Sequence, residues 1–142
     1  MRYRKSSHSI YFTEYHLVWI PRYRRKIFVD GVKQYAEKVL RNVIGLEPDI
    51  EVIKLNVQLD HVHMVVIIPP KYAVARVVQY IKSQSAKQIR ARFEFLDKVY
   101  MKKRGIWSRG YCVSSVGLNE RVILKYVEFQ EKEDRAQLQL TL

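Results

Sequence analysis

The sequence predicts an α+β fold, a ferredoxin-like or RRM-like split βαβ sandwich. Such a sandwich has a four-stranded antiparallel sheet with helices on one face, and here a further C-terminal helix follows it. The strand and helix patterns occur in the order βαββαβα, which is the order of this fold. The chain has 142 residues, 48% of them apolar, and no linker or repeat divides it. We therefore expect one domain, residues 1–142, in which the first and third strands are central.

The first strand and the first helix follow from two different periods of apolar residues. Ile10 to Ile20 is rich in aromatic and β-branched residues, which is typical of a strand covered on both faces. Pro21 ends this strand, and a basic turn follows. Apolar residues then recur at helical spacing up to Gly45, where a C-cap glycine is expected: Val32, Ala36, Val39, Leu40 and Val43.

The next two strands are predicted to form a hairpin. Apolar residues alternate from Ile50 to Leu59, and Asp60 marks a tight turn. His61 to Ile68 forms the third strand, which the two prolines at 69–70 end. Because the third strand is central in this fold, the histidines at its start are expected to lie on a rigid support.

The second half of the chain predicts a long helix, a fourth strand and a third helix. The long helix extends from Val74 to Phe93, with basic residues on its exposed side. The fourth strand is Trp107 to Val116, and the last helix starts at Asn119 and passes through Gln130. The polar tail after Asp134 carries no predicted element.

The charge of the chain indicates an anionic partner. Lys and Arg number 26 against 14 Asp and Glu, which leaves a formal net charge of +12 and a pI near 9.9. Nucleic acid and an acidic membrane surface are the two candidates. The longest apolar run, Met64 to Pro70, is far shorter than the ~20 residues of a spanning helix, and the N-terminus lacks a signal-peptide pattern. We therefore expect a nucleic-acid partner, no membrane partner and a cytoplasmic, nucleoid-associated location.

His61 and His63 are the first candidate metal ligands. On a strand, residues i and i+2 point to the same face with Cα atoms about 6.5–7 Å apart, so two imidazoles can close on one ion. Val62 and Met64 would then face the core. Taken alone, the pattern also fits histidines that lie on a surface or pair across strands.

Tyr126 and Gln130 form the second candidate pair. On a helix, residues i and i+4 are stacked neighbours, so the phenol and the carboxamide would project from one face. A tyrosine is a nucleophile when a nearby metal ion or proton acceptor stabilises the phenolate. The alternative is a half-buried tyrosine on an amphipathic helix, and the chain has 10 tyrosines.

Taken in order along the chain, these motifs resemble those of the single-tyrosine HUH transposases (IS200-like), which mobilise insertion sequences as single strands. The resemblance spans roughly Tyr11 to Gln130. It rests on five stretches: residues 15–21 (YHLVWIP) with Arg24 and Arg25, residues 60–63 (DHVH), residues 81–83 (IKS), residues 107–111 (WSRGY) and residues 126–130 (YVEFQ).

The resemblance implies a mechanism. His61 and His63, with Gln130 as third ligand, would bind Mg²⁺ or Mn²⁺, and Tyr126 would attack the scissile phosphate of single-stranded DNA to form a 5′-phosphotyrosine link. A 3′-OH from another end would then reverse the chemistry without ATP. The resemblance also implies a homodimer in which the tyrosine helix of one subunit reaches the His pair of the other.

The charge of these ligands and the acidic residues near them lead to further expectations. Two imidazoles and a carboxamide are neutral, so the ion would keep its full charge for the phosphate, and we expect it to bind more tightly with DNA present. Glu128 and Glu131 lie off the stripe of Tyr126 and Gln130 and are not expected to be ligands. Asp60 is interpreted first as a turn residue.

Basic residues beside aromatic ones are expected to hold the DNA, which in this family contains a hairpin. Phosphates attract the cations and unpaired bases stack on rings. A solvated helix face is the alternative for any single residue. The predicted DNA contacts are Arg22, Arg24, Arg25, Lys82, Lys87, Arg90 and Arg109.

Three other functions compete with this one. A non-catalytic RRM-like nucleic-acid-binding module shares the fold order and the charge, but it needs neither His63 nor Tyr126. A domesticated relative would cut repeated palindromes without moving an element. A zinc hydrolase is disfavoured because no third His or carboxylate lies at the required spacing.

Overall fold

The computed structural model describes residues 3–45, 47–101 and 104–141. Its strands are β1 (Arg4–Lys5), β2 (Ile10–Tyr11), β3 (Glu14–Trp19), β4 (Glu51–Val57), β5 (Val62–Ile67) and β6 (Cys112–Ser114). Its helices are α1 (Val32–Gly45), α2 (Val74–Arg92), α3 (Leu96–Val99) and α4 (Glu120–Thr141), with a short 3₁₀ turn at Arg22–Arg24. Without the short elements β1, β2 and α3, the order is the predicted βαββαβα.

The main sheet has four antiparallel strands in the order β4-β5-β3-β6. The first and third predicted strands are therefore central, as the sequence indicated. Val18 of β3 pairs with His63 of β5, and Asn56 of β4 pairs with His63 from the other side. His63 is thus held by hydrogen-bonded neighbours on both edges of its strand.

The two faces of the sheet are covered by different helices. Leu17 and Trp19 of β3 pack with Met64 of β5 into the main core beneath α1 and α2. The alternate residue Val18 lies on the opposite face and packs in a smaller cluster with Ile123 and Val127 of α4. The C-terminal helix therefore covers the face onto which His63 also projects, because His63 alternates with the core residues Val62 and Met64.

The first and the fourth predicted strands depart from their predicted boundaries. The stretch predicted as one strand from Ile10 is divided, and its first part pairs with β1 in a separate ribbon. The fourth strand is shorter than predicted: Trp107 makes only an isolated bridge with Pro21, and the strand begins at Cys112. Between the bridge and the strand, the carbonyls of Ser108 and Gly110 accept hydrogen bonds from Lys82.

The end of the last helix and the end of the first differ from the sequence pattern. Gly45 is the last residue of α1 and lies inside it. Helix α4 continues beyond Asp134 to Thr141, where no element was predicted. No helix in the described part of the chain has both the length and the apolar character needed to span a bilayer.

Candidate active site

The β4–β5 hairpin places the two histidines in one cavity. The amide of Gln58 donates to the carbonyl of His61 at 2.8 Å, which closes the turn. His61 and His63 then line the same cavity of about 400 Å³, beneath the first turns of α4. Two imidazoles facing one space are a donor set that suits a divalent metal ion.

His61 is held by the residue before it. Its Nδ1 lies 3.0 Å from Oδ1 of Asp60, whose other oxygen accepts a hydrogen bond of 2.8 Å from Nε of Arg24. Burial alone would raise the pKa of Asp60, but the hydrogen bonds from His61 and Arg24 outweigh it and leave that pKa below its usual value. With the Nδ1 proton directed at this carboxylate, Nε2 of His61 keeps the lone pair that a metal ligand needs.

His63 lies deeper in the cavity. Burial lowers its pKa, and electrostatic interactions with His16, His61 and Lys54 lower it further. Its Nε2 is 3.4 Å from Nδ1 of His16 on the neighbouring strand. The lowered pKa favours the neutral imidazole, which is the form that binds metal ions.

The turn after β3 is strained and joins this cavity to helix α4. Tyr23 and Arg24 have φ values of 62° and 55°, in the left-handed region that non-glycine residues seldom adopt. Arg24 reaches both Asp60 at 2.8 Å and Glu131 of α4 at 3.3 Å. Burial lowers the pKa of Arg24, but its bonds to Asp60 and Glu131 outweigh burial and raise it overall. Strain of this kind persists where surrounding contacts hold it, often at functional sites.

Tyr126 and Gln130 lie together on α4. The phenol of Tyr126 donates to Oε1 of Gln130 at 3.3 Å, and Nε2 of Gln130 donates to Oδ1 of Asp134 at 3.1 Å. Burial raises the pKa of Tyr126, and electrostatic interactions with Cys112 and Asp134 add to that rise. In this arrangement the phenol is protonated at neutral pH, so a nucleophilic role requires a cation or proton acceptor beside it.

The structure brings together the members of each pair but keeps the two pairs apart. Among the described residues, α4 contributes Glu120, Ile123, Leu124 and Val127 to the His cavity, and neither Tyr126 nor Gln130. No three His, Cys, Asp or Glu side chains within residues 3–45, 47–101 and 104–141 could hold a metal ion. A third ligand for an ion on His61 and His63 must therefore be of another type or come from another copy of the chain.

The predicted DNA contacts fall into two groups. Arg25, Lys87 and Arg109 are exposed. Lys82 and Arg90 instead donate to backbone carbonyls, Arg90 to those of Tyr100, Met101 and Arg104. Burial lowers the pKa of Lys82 to about 8. Arg24 binds carboxylates as described, and Arg22 is partly buried.

Two residues of the site were missed by sequence reasoning. Asp134 is buried, and its carboxylate accepts from Gln130, from the hydroxyl of Ser108 at 2.7 Å and from the amide of Tyr23 at 2.9 Å. Asp134 follows Gln130 by one more helical step of four residues, so the stripe that singled out Tyr126 and Gln130 could have been extended to it. The role of Ser108 left no comparable signal in the sequence.

Comparison with known proteins decides the family. The family described as "Transposase IS200 like" matches residues 9–130, which include both histidines, Tyr126 and Gln130. The chain belongs to this family. It is 31% identical over 136 residues to the transposase for insertion sequence element IS200 of Salmonella typhimurium, covering 96% of this chain and 88% of that one. It is also 31% identical over 132 residues to the ISDra2 transposase TnpA of Deinococcus radiodurans, covering 92% and 93%.

Solved structures agree with the fold of this IS200-like transposase. A crystal structure of a candidate transposase from Deinococcus radiodurans R1 superposes with a TM-score of 0.81 at 29% identity, covering 89% of this chain and 97% of that one. A REP-associated tyrosine transposase bound to a REP hairpin superposes with a TM-score of 0.54 at 16% identity, covering 88% and 70%. The second likeness concerns the fold alone.

Proposed function

We propose that this transposase cuts and rejoins single-stranded DNA at the ends of an insertion sequence, using Tyr126 as nucleophile and a Mg²⁺ or Mn²⁺ ion on His61, His63 and Gln130. The observation that carries the proposal is the pairing of side chains in a chain of this family: two imidazoles face one cavity, and a phenol lies beside a carboxamide oxygen on the helix above. The relatives at 31% identity are named as insertion-sequence transposases, which favours this reading over a domesticated repeat-cutting enzyme.

The imidazoles and the carboxamide oxygen can together bind a divalent cation that also accepts phosphate oxygens. All three ligands are neutral, so the DNA would supply the compensating negative charge. When bound, the ion would polarise the scissile phosphate and favour ionisation of the nearby phenol. Asp60 holds Nδ1 of His61, which leaves Nε2 for a ligand role, and burial lowers the pKa of His63 and so favours its neutral form.

The strand cleavage is a transesterification. The phenol oxygen of Tyr126 forms a bond to phosphorus, and the bond from phosphorus to the 3′ oxygen breaks. The proton lost by the phenol balances the proton gained by the 3′-OH. The 5′ end stays on Tyr126, and attack by another 3′-OH reverses the step and joins the two strands, so no ATP is consumed.

The site is proposed to be shared between two copies of the chain. Neither Tyr126 nor Gln130 lines the His cavity of its own chain, so a second copy would supply them. A mixture of His63→Ala and Tyr126→Phe subunits tests this, because a mixed dimer has one complete site only when the pairs meet across the interface. Activity in the mixture, with neither variant active alone, supports sharing. Activity absent from co-purified mixed dimers would contradict it.

The reaction is tested with labelled single-stranded DNA that carries the hairpin and flank of the element end. Protein, DNA and Mg²⁺ should give an adduct that survives denaturing electrophoresis and maps to Tyr126. The Tyr126→Phe variant should lose the adduct while still binding DNA, and Tyr3→Phe, which alters an exposed phenol, should keep it. Tight DNA binding by the wild type without any adduct would overturn the proposal in favour of a binding module.

A further inference from the structure

The buried carboxylate of Asp134 determines which end of the Gln130 carboxamide faces Tyr126. Asp134 is 7% exposed and Gln130 is 9% exposed, so neither side chain has free access to water. Nε2 of Gln130 donates to Oδ1 of Asp134 at 3.1 Å, while Oε1 of Gln130 accepts from the phenol of Tyr126 at 3.3 Å. We propose that Asp134 is a positioning residue, which keeps the oxygen of Gln130, and not its nitrogen, directed to Tyr126 and to the metal ion.

We call the hydrogen-bonded series of Tyr126, Gln130 and Asp134 the relay. Its direction is set by the carboxylate of Asp134 at its end. An ionised carboxylate can only accept hydrogen bonds, and a carboxamide has one accepting end and one donating end. The donating NH₂ group of Gln130 must therefore turn to Asp134, and Oε1 is left for Tyr126. An NH₂ group has no lone pair for a cation, so a reversed carboxamide would be lost as a ligand. This inference rests on the proposed role of Gln130.

The three residues of the relay lie on one helix at successive steps of four. Tyr126, Gln130 and Asp134 are therefore neighbours along one face of α4, and they would reach the His pair of a second copy as one unit. The carboxamide has little room to turn. A Cβ atom added at Gly110 would lie 2.2 Å from Oε1 of Gln130, so the backbone of Gly110 lies against it.

The other bonds of Asp134 make one substitution selective. Its Oδ1 also accepts from the hydroxyl of Ser108 at 2.7 Å, and its Oδ2 accepts from the amide of Tyr23 at 2.9 Å. In Asp134→Asn the remaining oxygen can stay on the amide of Tyr23, and the new NH₂ can donate to the hydroxyl of Ser108, which also accepts. Gln130 then faces a donor where it needs an acceptor, while the Ser108 hydroxyl changes from donating to accepting. Its carboxamide is expected to reverse, with the new NH₂ bonded to Oε1 and Nε2 turned to Tyr126.

The experiment separates a change in the orientation of the Gln130 carboxamide from a loss of the contacts that anchor α4. The side-chain NH₂ signals of Gln130 are followed by nitrogen-15 NMR in the metal-free protein, and the affinity for Mn²⁺ is measured with a single-stranded oligonucleotide bound. Asp134→Asn should change the NMR signals of Gln130, weaken Mn²⁺ binding roughly tenfold to a hundredfold, and leave the thermal midpoint close to that of the wild type.

Two double variants complete the test. In Gln130→Glu/Asp134→Asn, both ends of residue 130 are oxygens, so Mn²⁺ affinity should recover towards the wild-type value. In a Gln130→Ala background, Asp134→Asn should cause no further loss. An equal loss in that background, or unchanged Mn²⁺ affinity and unchanged Gln130 signals in Asp134→Asn, would overturn the inference. A wild type that binds no Mn²⁺ and forms no adduct on Tyr126 would instead overturn the proposed function, while the NMR signals would still report the orientation.

Discussion

Oδ1 of Asp60 lies 3.0 Å from Nδ1 of His61, and the same carboxylate accepts from Arg24, which also reaches Glu131 on the last helix. Asp60, interpreted from the sequence first as a turn residue, therefore also links the His cavity to the helix that carries Tyr126. A ligand imidazole held in this way presents a fixed tautomer to a metal ion, and loss of the supporting group weakens metal binding.

Asp60→Asn is therefore expected to weaken Mn²⁺ binding in the presence of single-stranded DNA by about tenfold or more. Asn still accepts from His61, but it carries no charge to polarise the imidazole or to pair with Arg24. Isothermal calorimetry measures the affinity. Asp49→Asn is the matched control, because it removes only an exposed ion pair with Lys71. Equal affinities in the wild type and Asp60→Asn would contradict the role given to Asp60.

The same carboxylate should make stability depend on acid pH. The pKa of Asp60 is held below its ordinary value of 3.8 in the folded chain, so the unfolded chain binds its proton first as pH falls. The stabilisation is complete above the ordinary value and is lost as pH falls through the lowered pKa. The decrease in the urea midpoint from pH 6 to pH 3 should therefore be larger for the wild type than for Asp60→Asn. Parallel decreases in the two proteins would rule out this linkage.

Metal affinity should depend on DNA. The three proposed ligands, His61, His63 and Gln130, are all neutral. An ion bound to them without DNA would therefore have no anionic ligand to offset its charge. Calorimetric titration of Mn²⁺ should show tighter binding once a single-stranded oligonucleotide is bound, and His61→Ala should abolish the gain. The same affinity with and without the oligonucleotide would refute the idea.

Gly110→Ala should disturb the tyrosine helix. The new methyl group would lie 2.2 Å from Oε1 and 2.9 Å from Cδ of Gln130, and Gln130 cannot withdraw without leaving Asp134 and Tyr126. A loss of about 1–3 kcal/mol in the free energy of unfolding is expected for overpacking of this kind, together with reduced adduct formation. Gly117→Ala is the control, since nothing lies within 4 Å of a Cβ there. Similar stabilities for the two variants would show that Gln130 does not need this packing.

The exposed and the bonded basic residues should behave differently in DNA binding. Each of Arg25, Lys87 and Arg109, changed to Gln, should reduce the dependence of log affinity on log salt by roughly 0.7 if it neutralises one phosphate of a single strand. Arg90→Gln should mainly lower stability, because its guanidinium bonds to backbone carbonyls and forms an ion pair with Asp97. Salt titrations and urea unfolding measure the two effects. An unchanged salt dependence in all three exposed variants would exclude them as phosphate contacts.

The sequence alone determined the order of elements, the central position of the His-bearing strand and the two stripes that pair His61 with His63 and Tyr126 with Gln130. These follow from local periodicities of two and of about 3.6 residues, which the chain carries in its own pattern. The short motifs around them were sufficient to indicate the family.

Only the tertiary structure decided the contacts between these stripes. Asp134 and Ser108 are distant in the sequence from Tyr23, yet the fold joins them, and Lys82 and Arg90 are bound to carbonyls that no pattern on α2 reveals. Likewise, the side of α4 that faces the His cavity depends on how Ile123 and Val127 pack on Val18. Such contacts are set by the packing of distant segments, because a buried polar group must find its partner wherever the fold places one.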